Sequence, residues 1–155
     1  MKKSLSILIA IIVIGAIACK TTSTTTGFAD PKKIFPINTN GKDTLVTPSG
    51  LKYILIEAGS GAKAGYSRKV SVHYTGYFLD GKIFDSSVER GEPIAFQLGM
   101  GQVIKGWDEG IALLKVGGIA RLIIPPMLGY GLKDKGPIPG NSTLIFDVML
   151  MKVEE

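Results

Sequence analysis

The chain has 155 residues, a formal net charge of +5, 45% hydrophobic residues and 20% charged residues. This length accommodates one domain with a sizeable core and is short for two. With a single cysteine and one long apolar run, the composition excludes a collagen, a coiled coil, a disulfide framework and a protein that crosses a membrane many times. Much of the hydrophobic excess lies in the uncharged run Leu5–Ala18.

The first residues predict an exported protein. Lys2 and Lys3 precede the apolar run 5–18, whose last residues are small. A basic start, an apolar run of about 7–15 residues and a small-residue cleavage site are the layout of a secretory signal peptide. The run is shorter than the roughly 20 residues that a membrane-spanning helix needs. A transmembrane anchor is therefore the weaker interpretation.

Cys19 is the only cysteine and directly follows the small residues 16–18. The stretch Ala-Ile-Ala-Cys resembles a bacterial lipobox, which implies cleavage before Cys19, acylation of its thiol and attachment to the bacterial cell envelope, at the outer membrane or the periplasmic face. The alternative is a cysteine that merely ends a buried apolar run. Cleavage would remove Lys2 and Lys3, which weakens a nucleic-acid interpretation of the positive charge.

The region after Cys19 predicts a tether followed by one folded domain. Residues 20–27 are Thr-rich and of low complexity, with nothing to bury. We therefore expect a leader at 1–18, a tether and linker at 19–46 and the domain at 47–155. Within the linker, Ile34 and Phe35 are apolar and are candidates to dock on the domain.

From Leu51 onward the pattern predicts an α+β domain. Alternation and β-branched or aromatic residues predict strands at 51–57, 70–78, 83–85, 94–98, 119–124 and 144–151. Asp80-Gly81 predicts a hairpin turn. The apolar spacing over 103–116 predicts a helix, with Gly117-Gly118 as its left-handed cap. An antiparallel sheet wrapped around one short helix is the packing we expect.

The sequence lacks the motifs that several kinds of catalysis require. His73 is the only histidine and lies inside a predicted strand, so we interpret it as structural. The sequence has no dinucleotide-binding loop, no phosphate-binding lysine motif and no nucleophile elbow. Asp108 and Glu109 are adjacent on the predicted helix and are interpreted as solvated. We therefore expect no metal and no cofactor.

Five short runs carry a family resemblance. They are Val72–Gly76, Lys82–Ser87, Val103–Gly110, Gly129–Gly131 and Ile145–Val148. In this order they resemble the FKBP-type peptidyl-prolyl cis-trans isomerases over roughly residues 47–153. The resemblance implies a curved antiparallel sheet of five or six strands around one short helix, with a hydrophobic pocket between them. It also implies an enzyme that isomerises X–Pro bonds without a cofactor, with proline-containing polypeptides and macrolide inhibitors as ligands.

The resemblance also assigns residues to the pocket. Catalytic roles are implied for Asp85 at the pocket edge and for the Ile104 N–H and the Tyr130 hydroxyl, which would donate to the carbonyls that flank the bound proline. The implied substrate-binding residues are Tyr74, Phe84, Phe96, Val103, Trp107, Ile138 and Phe146. From the residues alone, plain core positions are the favoured interpretation of Trp107 and Phe146, and Asp85 equally fits the cap of the following turn.

Three features depart from the family pattern, and the first is that residues 126–130 lack the acidic residue often found before the Tyr. Ile94 stands where many members have an aromatic residue, and the loop 132–141 carries Lys133, Asp134 and Lys135.

The function expected from the sequence is a prolyl isomerase that assists the folding of extracytoplasmic proteins. A non-catalytic proline-peptide binding module or chaperone with the same pocket is the alternative, and a purely structural lipoprotein is a third. The segment 20–47 has no helical period for a dimerisation arm, so we expect a monomer.

Overall fold

The computed structural model describes residues 29–154. The predicted leader, Cys19 and the tether up to residue 28 lie outside these residues. The strands of the described part are β1 (Leu45–Val46), β2 (Lys52–Glu57), β3 (Lys69–Tyr77), β4 (Ile83–Ser86), β5 (Ile94–Gln97), β6 (Ile119–Ile124) and β7 (Leu144–Glu154). The α-helices are α1 (Pro31–Ile34), α2 (Ser87–Arg90) and α3 (Lys105–Ala112). None of the helices in residues 29–154 is long and apolar enough to cross a membrane.

The strands of residues 29–154 form one antiparallel sheet in the order β1-β2-β6-β7-β3-β4. One edge of β3 pairs with β7, and the other edge pairs first with β5 and then with β4. The predicted antiparallel sheet around a short helix is confirmed. The described sheet has seven strands rather than five or six, because the two-residue β1 adds to the six predicted strands by pairing with β2.

The main core lies between α3 and the face of the sheet that α3 covers, which we call the inner face. Ile111 on α3 is fully buried, as are Leu122 on β6 and Val148 on β7. Gly106 lets α3 lie directly on β6, because a Cβ at this position would be 2.7 Å from Cγ2 of Ile124. Close contact of this helix with the sheet buries the apolar side chains of both.

The helix α3 is shorter than the sequence predicts. It ends at Ala112 instead of near residue 116. The backbone N–H groups of Lys115 and Val116 donate to the carbonyls of Ala58 and Ala62, at 3.0 and 2.9 Å, so the loop after β2 replaces the next turn of helix. Gly117 has a positive φ of 86°, as predicted for a left-handed residue, but it lies in the turn before β6 and does not cap α3.

The predicted hairpin between β3 and β4 is confirmed. The N–H of Phe78 donates to the carbonyl of Lys82 at 2.9 Å, and Gly81 has a φ of 85°. Such a positive φ costs glycine nothing, which is why Asp-Gly marks this turn. The hairpin brings the start of β4 back beside the end of β3.

Residues 30–37, which we call the N-terminal strap, lie on the other, outer face of the sheet. Ile37 is buried against Ile119 and Met149, and Ile34 and Phe35 pack against the same cluster. The predicted docking of Ile34 and Phe35 is thus observed. This contact covers the outer face of β7 and explains why that strand is apolar on most of both faces.

Candidate functional site

A cavity of about 450 Å3 opens between the inner face of the sheet, the start of α3 and the loop that follows β6. Most of its wall is aromatic or aliphatic. Its lining residues are Tyr74, Phe84, Asp85, Ile94, Val103, Ile104, Trp107, Tyr130, Lys135, Gly136, Pro137, Ile138 and Phe146. A concave apolar site with few polar groups is the usual form of a small-ligand pocket.

Aromatic rings form a rigid set around Trp107, which is only 4% exposed. The Trp107 ring meets the Tyr74 ring edge to face, with centroids 4.9 Å apart, and the Phe146 ring in the same way at 5.3 Å. Phe84 stands edge to face against Phe146 at 5.4 Å. Gly76 makes room for both phenylalanines, because a Cβ there would be 2.6 Å from Cζ of Phe84. Each edge-to-face pair adds about 0.5–1.5 kcal/mol beyond area burial.

A polar network closes one side of the cavity. The Tyr74 hydroxyl donates to Oδ2 of Asp85, and the Arg90 guanidinium donates to Oδ1 of the same carboxylate. Arg90 Nη2 also donates to the Tyr74 hydroxyl oxygen at 2.9 Å. Burial raises the pKa of Asp85, but the hydrogen bonds from Tyr74 and Arg90 outweigh it, so that pKa lies below its ordinary value. Asp85 is therefore an ionised carboxylate whose oxygens are already hydrogen-bonded.

Asp85 does not cap the turn that follows it. The cap of α2 is the Ser86 hydroxyl, which accepts from the Glu89 N–H at 3.3 Å. The short helix then places Arg90 five positions beyond Asp85, within reach of its carboxylate. The structural alternative for Asp85 is thus wrong, and Arg90 is a site residue that sequence reasoning missed. In the sequence, the only indication of this role for Arg90 is a basic residue at the end of the turn that begins with Ser86 and Ser87.

The Ile104 backbone provides a free donor at the cavity wall. Ile104 precedes α3 in extended conformation, and its carbonyl accepts from Trp107 N at 2.9 Å and Asp108 N at 3.2 Å. Its N–H donates to no residue within 29–154. The Asp108 carboxylate accepts from the N–H groups of Gly99 and Gly101, at 2.7 and 3.3 Å, and so anchors the loop that leads to Ile104. Asp108 is therefore a positioning residue, not a merely solvated one.

Tyr130 provides a second donor. It follows a 3-10 turn at Pro126–Leu128, and the Gly131 N–H fixes the loop by donating to the Pro126 carbonyl at 2.8 Å. Burial, and to a smaller extent the negative charge of Asp85, raise the pKa of Tyr130. The phenol therefore keeps its proton at neutral pH. Its hydroxyl makes no hydrogen bond to the part of the chain that the structure describes. The residue lines the cavity and is 40% exposed, so a ligand can reach it.

The structure brings together all the predicted pocket residues except Phe96. Phe96 is buried and packs against Trp107 with ring centroids 5.8 Å apart, so it supports the aromatic wall without lining the cavity. Sequence reasoning missed Lys135, Gly136 and Pro137, which line the cavity next to Ile138. The Gly-Pro pair directly before a predicted pocket residue was the available signal.

His73 lies outside the cavity lining, in line with its structural interpretation. Its Nδ1 is 3.0 Å from the Ser87 hydroxyl oxygen, which also accepts from the Tyr74 N–H at 2.7 Å. Burial lowers the pKa of His73. The His73–Ser87 contact thus fixes the backbone of Tyr74 from behind the aromatic wall.

Comparison with known proteins agrees with this fold. Residues 60–151 match the family model for FKBP-type peptidyl-prolyl cis-trans isomerases. The chain is similar to a probable FKBP-type peptidyl-prolyl cis-trans isomerase of Haemophilus influenzae, with 54% identity over 114 residues, which are 73% of this chain and 46% of that protein. It is also similar to an FK506-binding protein of Neisseria meningitidis serogroup A, with 48% identity over 101 residues, 64% of this chain and 93% of that protein.

Comparison with solved structures gives a match in the same family. The crystal structure of FkpA from Escherichia coli matches with a TM-score of 0.69 and 45% identity, over 75% of this chain and 54% of that chain. The chain therefore belongs to the FKBP-type peptidyl-prolyl cis-trans isomerase family, as its five motifs predicted. It spans about half the length of some relatives, including the Haemophilus influenzae protein.

Proposed function

We propose that this protein isomerises X–Pro bonds of extracytoplasmic proteins and so assists their folding. The observation that carries the proposal is the aromatic cavity with two donors at its wall, the Ile104 N–H and the Tyr130 hydroxyl, neither of which donates to another group within residues 29–154. The proline ring would occupy the cavity above Trp107. The two donors would hold the carbonyls that flank the proline.

The reaction needs no bond to break. Rotation about a peptide bond meets a barrier of about 18–20 kcal/mol because planarity carries resonance. The cis and trans forms of an X–Pro bond differ by only about 0.5–1 kcal/mol, yet exchange takes tens to hundreds of seconds. A protein therefore accelerates the exchange if it binds the twisted amide more tightly than either planar form.

The cavity is suited to this preference. The twisted amide has lost its resonance and is less polar, so a dry aromatic wall favours it over the planar forms. Asp85 is already hydrogen-bonded to Tyr74 and Arg90, so its role is to hold this side of the cavity in shape. Each ~1.4 kcal/mol of preferential binding to the twisted amide gives a tenfold increase in rate.

The test is a protease-free isomerisation assay on the full chain in mild detergent. Tyr130→Phe removes the hydroxyl and keeps the ring, so kcat/KM should fall about three- to tenfold, the value of one hydrogen bond in the transition state. Tyr66→Phe is the matched control, because Tyr66 is exposed and does not line the cavity. Equal losses in the two variants would contradict the role of the Tyr130 hydroxyl.

Ligand binding separates the enzyme from the alternative, a non-catalytic binding module. Trp107 is the only tryptophan of the chain, so its fluorescence reports on this cavity. We expect a macrolide of the FK506 type to change that fluorescence and to abolish the acceleration. A fluorescence change without any acceleration by the wild-type protein would favour the proline-peptide binding module or chaperone.

We also propose that Cys19 is acylated and holds the protein in the bacterial cell envelope. Support comes from the sequence alone, through the basic start, the apolar run and the small residues before Cys19. Two or more acyl chains, at about 0.8 kcal/mol per buried CH2, are enough for stable anchoring. Cys19→Ser should abolish labelling with radioactive fatty acid and release the protein from the membrane fraction. Unchanged labelling would exclude acylation at this residue.

A further inference from the structure

The segment 38–44, which joins the N-terminal strap to β1, contains the dipeptide Asn40-Gly41. An asparagine before a glycine is open to one intramolecular reaction, in which the next backbone nitrogen attacks the side-chain carbonyl carbon. Glycine favours this attack because it has no Cβ beside the nitrogen. In a folded protein the reaction requires that both reacting groups are free of other contacts.

Both reacting groups are free at Asn40. Asn40 is exposed, and its side-chain amide makes no hydrogen bond within residues 29–154. The Gly41 N–H donates to no group in this range either, because the hydrogen bond that closes the turn runs from the Lys42 N–H to the Thr39 carbonyl, at 3.2 Å. Gly41 has a positive φ of 71°, and a Cβ there would have no neighbour within 4 Å outside the adjoining residues. Within the described residues, nothing holds the nitrogen away from the amide carbon.

A similar dipeptide in the β3–β4 hairpin is locked instead. The Gly81 N–H donates to the Phe78 carbonyl at 3.0 Å, and Oδ1 of Asp80 accepts from the Lys82 N–H at 2.9 Å. The nitrogen and the side chain that would react are therefore both engaged. A glycine in the next position is thus not sufficient, and the local hydrogen bonds decide between the two sites.

The chain has two other asparagines, Asn38 and Asn141. Asn38 is followed by Thr39, whose branched Cβ crowds the attacking nitrogen, and its Oδ1 accepts from the Asn40 N–H at 3.0 Å. Asn141 is followed by Ser142, which also carries a side chain next to the nitrogen. Asn40 is therefore the asparagine whose reaction path is open on both sides.

We infer that Asn40 is a site of spontaneous deamidation. The Gly41 nitrogen forms a bond to the side-chain carbonyl carbon of Asn40, the bond from that carbon to the amide nitrogen breaks, and ammonia leaves with the proton of the Gly41 N–H. Water then opens the cyclic imide at either carbonyl and gives aspartate or isoaspartate. Isoaspartate adds a CH2 group to the backbone between Ile37 and β1. None of residues 38–44 lines the cavity, so kcat/KM should stay unchanged.

The experiment incubates the full chain in mild detergent at neutral and at mildly alkaline pH. Tryptic digestion releases residues 34–42 as one peptide, which contains both Asn38 and Asn40, so each spectrum includes its own control. Mass spectrometry resolves the replacement of NH2 by OH, and an isoaspartyl methyltransferase labels isoaspartate. Gly41→Ala adds a Cβ next to the attacking nitrogen. Gly50→Ala is the matched control, because Gly50 also has a positive φ, of 91°, and open surroundings but follows a serine.

We expect Asn40 to deamidate at least about tenfold faster than Asn38, which precedes a β-branched residue. The reaction should be faster at the alkaline pH, because the attacking nitrogen must lose its proton. Gly41→Ala should slow it severalfold, and Gly50→Ala should leave it unchanged. Unfolding in urea should raise the isoaspartate content at Asp80, whose hydrogen bonds are then lost, and change the rate at Asn40 little. Equal rates at Asn38 and Asn40, or an Asn40 amide that converts only in urea, would overturn the inference.

Discussion

Within residues 29–154, each face of the sheet holds one Asp–Arg pair, and the two pairs have opposite surroundings. On the inner face, Asp85 and Arg90 border the cavity, with side chains 43% and 52% exposed. On the outer face, Asp147 is 0% exposed and Arg121 only 21%. The chemistry of the pairs is the same, so their access to water decides what each contributes.

The outer pair acts as a clamp on the N-terminal strap. Asp147 accepts from Arg121 Nε at 2.6 Å and Nη2 at 2.9 Å, and from the Ile37 N–H at 2.8 Å. Arg121 Nη2 donates to the Ile37 carbonyl at 3.1 Å. Both backbone groups of Ile37 are thus satisfied by one buried ion pair. Water cannot replace a lost partner there, whereas water reaches the inner pair freely.

The largest effect is expected for Arg121→Met, which leaves the Asp147 carboxylate buried without its cation. Breaking a buried pair from one side costs about 3–5 kcal/mol of unfolding free energy. Urea unfolding of the full chain measures the loss. The double variant Arg121→Met/Asp147→Leu should recover part of it, because no charge remains buried. A loss below about 1 kcal/mol in the single variant would show that the outer pair is as solvated as the inner one.

The next effect is expected for Ile37→Ala, which removes the buried side chain of the strap. Replacing buried Ile by Ala typically costs about 2–5 kcal/mol. We expect the lower end of this range, because the strap can detach and so limit the cost to its own docking energy. Hydrogen exchange at the Ile37 amide should accelerate, while kcat/KM stays unchanged because the cavity is on the inner face. Ile34→Ala, at a partly buried position, is the milder control.

The two faces also differ in how far the sequence predicts them. The inner face carries motifs with local signals, such as alternation in β3 and the Asp80-Gly81 turn. The residues of its aromatic wall were predicted from the family resemblance, and all of them except Phe96 line the cavity. The outer clamp joins Ile37 to Asp147, which are 110 residues apart in the sequence, and no local pattern predicts such a contact. For the same reason the end of α3 was misplaced, because the loop after β2 supplies the competing hydrogen bonds.

A smaller effect on stability is expected for Asp85→Asn. The exposed ion pair with Arg90 contributes about 0–1 kcal/mol, so urea unfolding should change by no more than that. Activity should change more, because the hydrogen bond that orients Tyr74 in the cavity wall is weakened. We expect kcat/KM to fall about three- to tenfold. A stability loss as large as that of Arg121→Met would remove the contrast between the two faces.

The smallest effect is the pH dependence that Asp85 itself contributes. Its pKa lies below the ordinary value near 3.9, so the folded protein gains stability from it above that pH and loses it as the pH falls further. Wild type should therefore lose more stability than Asp85→Asn between about pH 5 and about pH 3, by a few tenths of a kcal/mol after solvent screening. Glu154, whose pKa is lowered by Lys152 and Lys69, is present in both proteins and cancels. Equal losses in the two proteins would mean that Tyr74 and Arg90 do not favour the ionised form of Asp85 in solution.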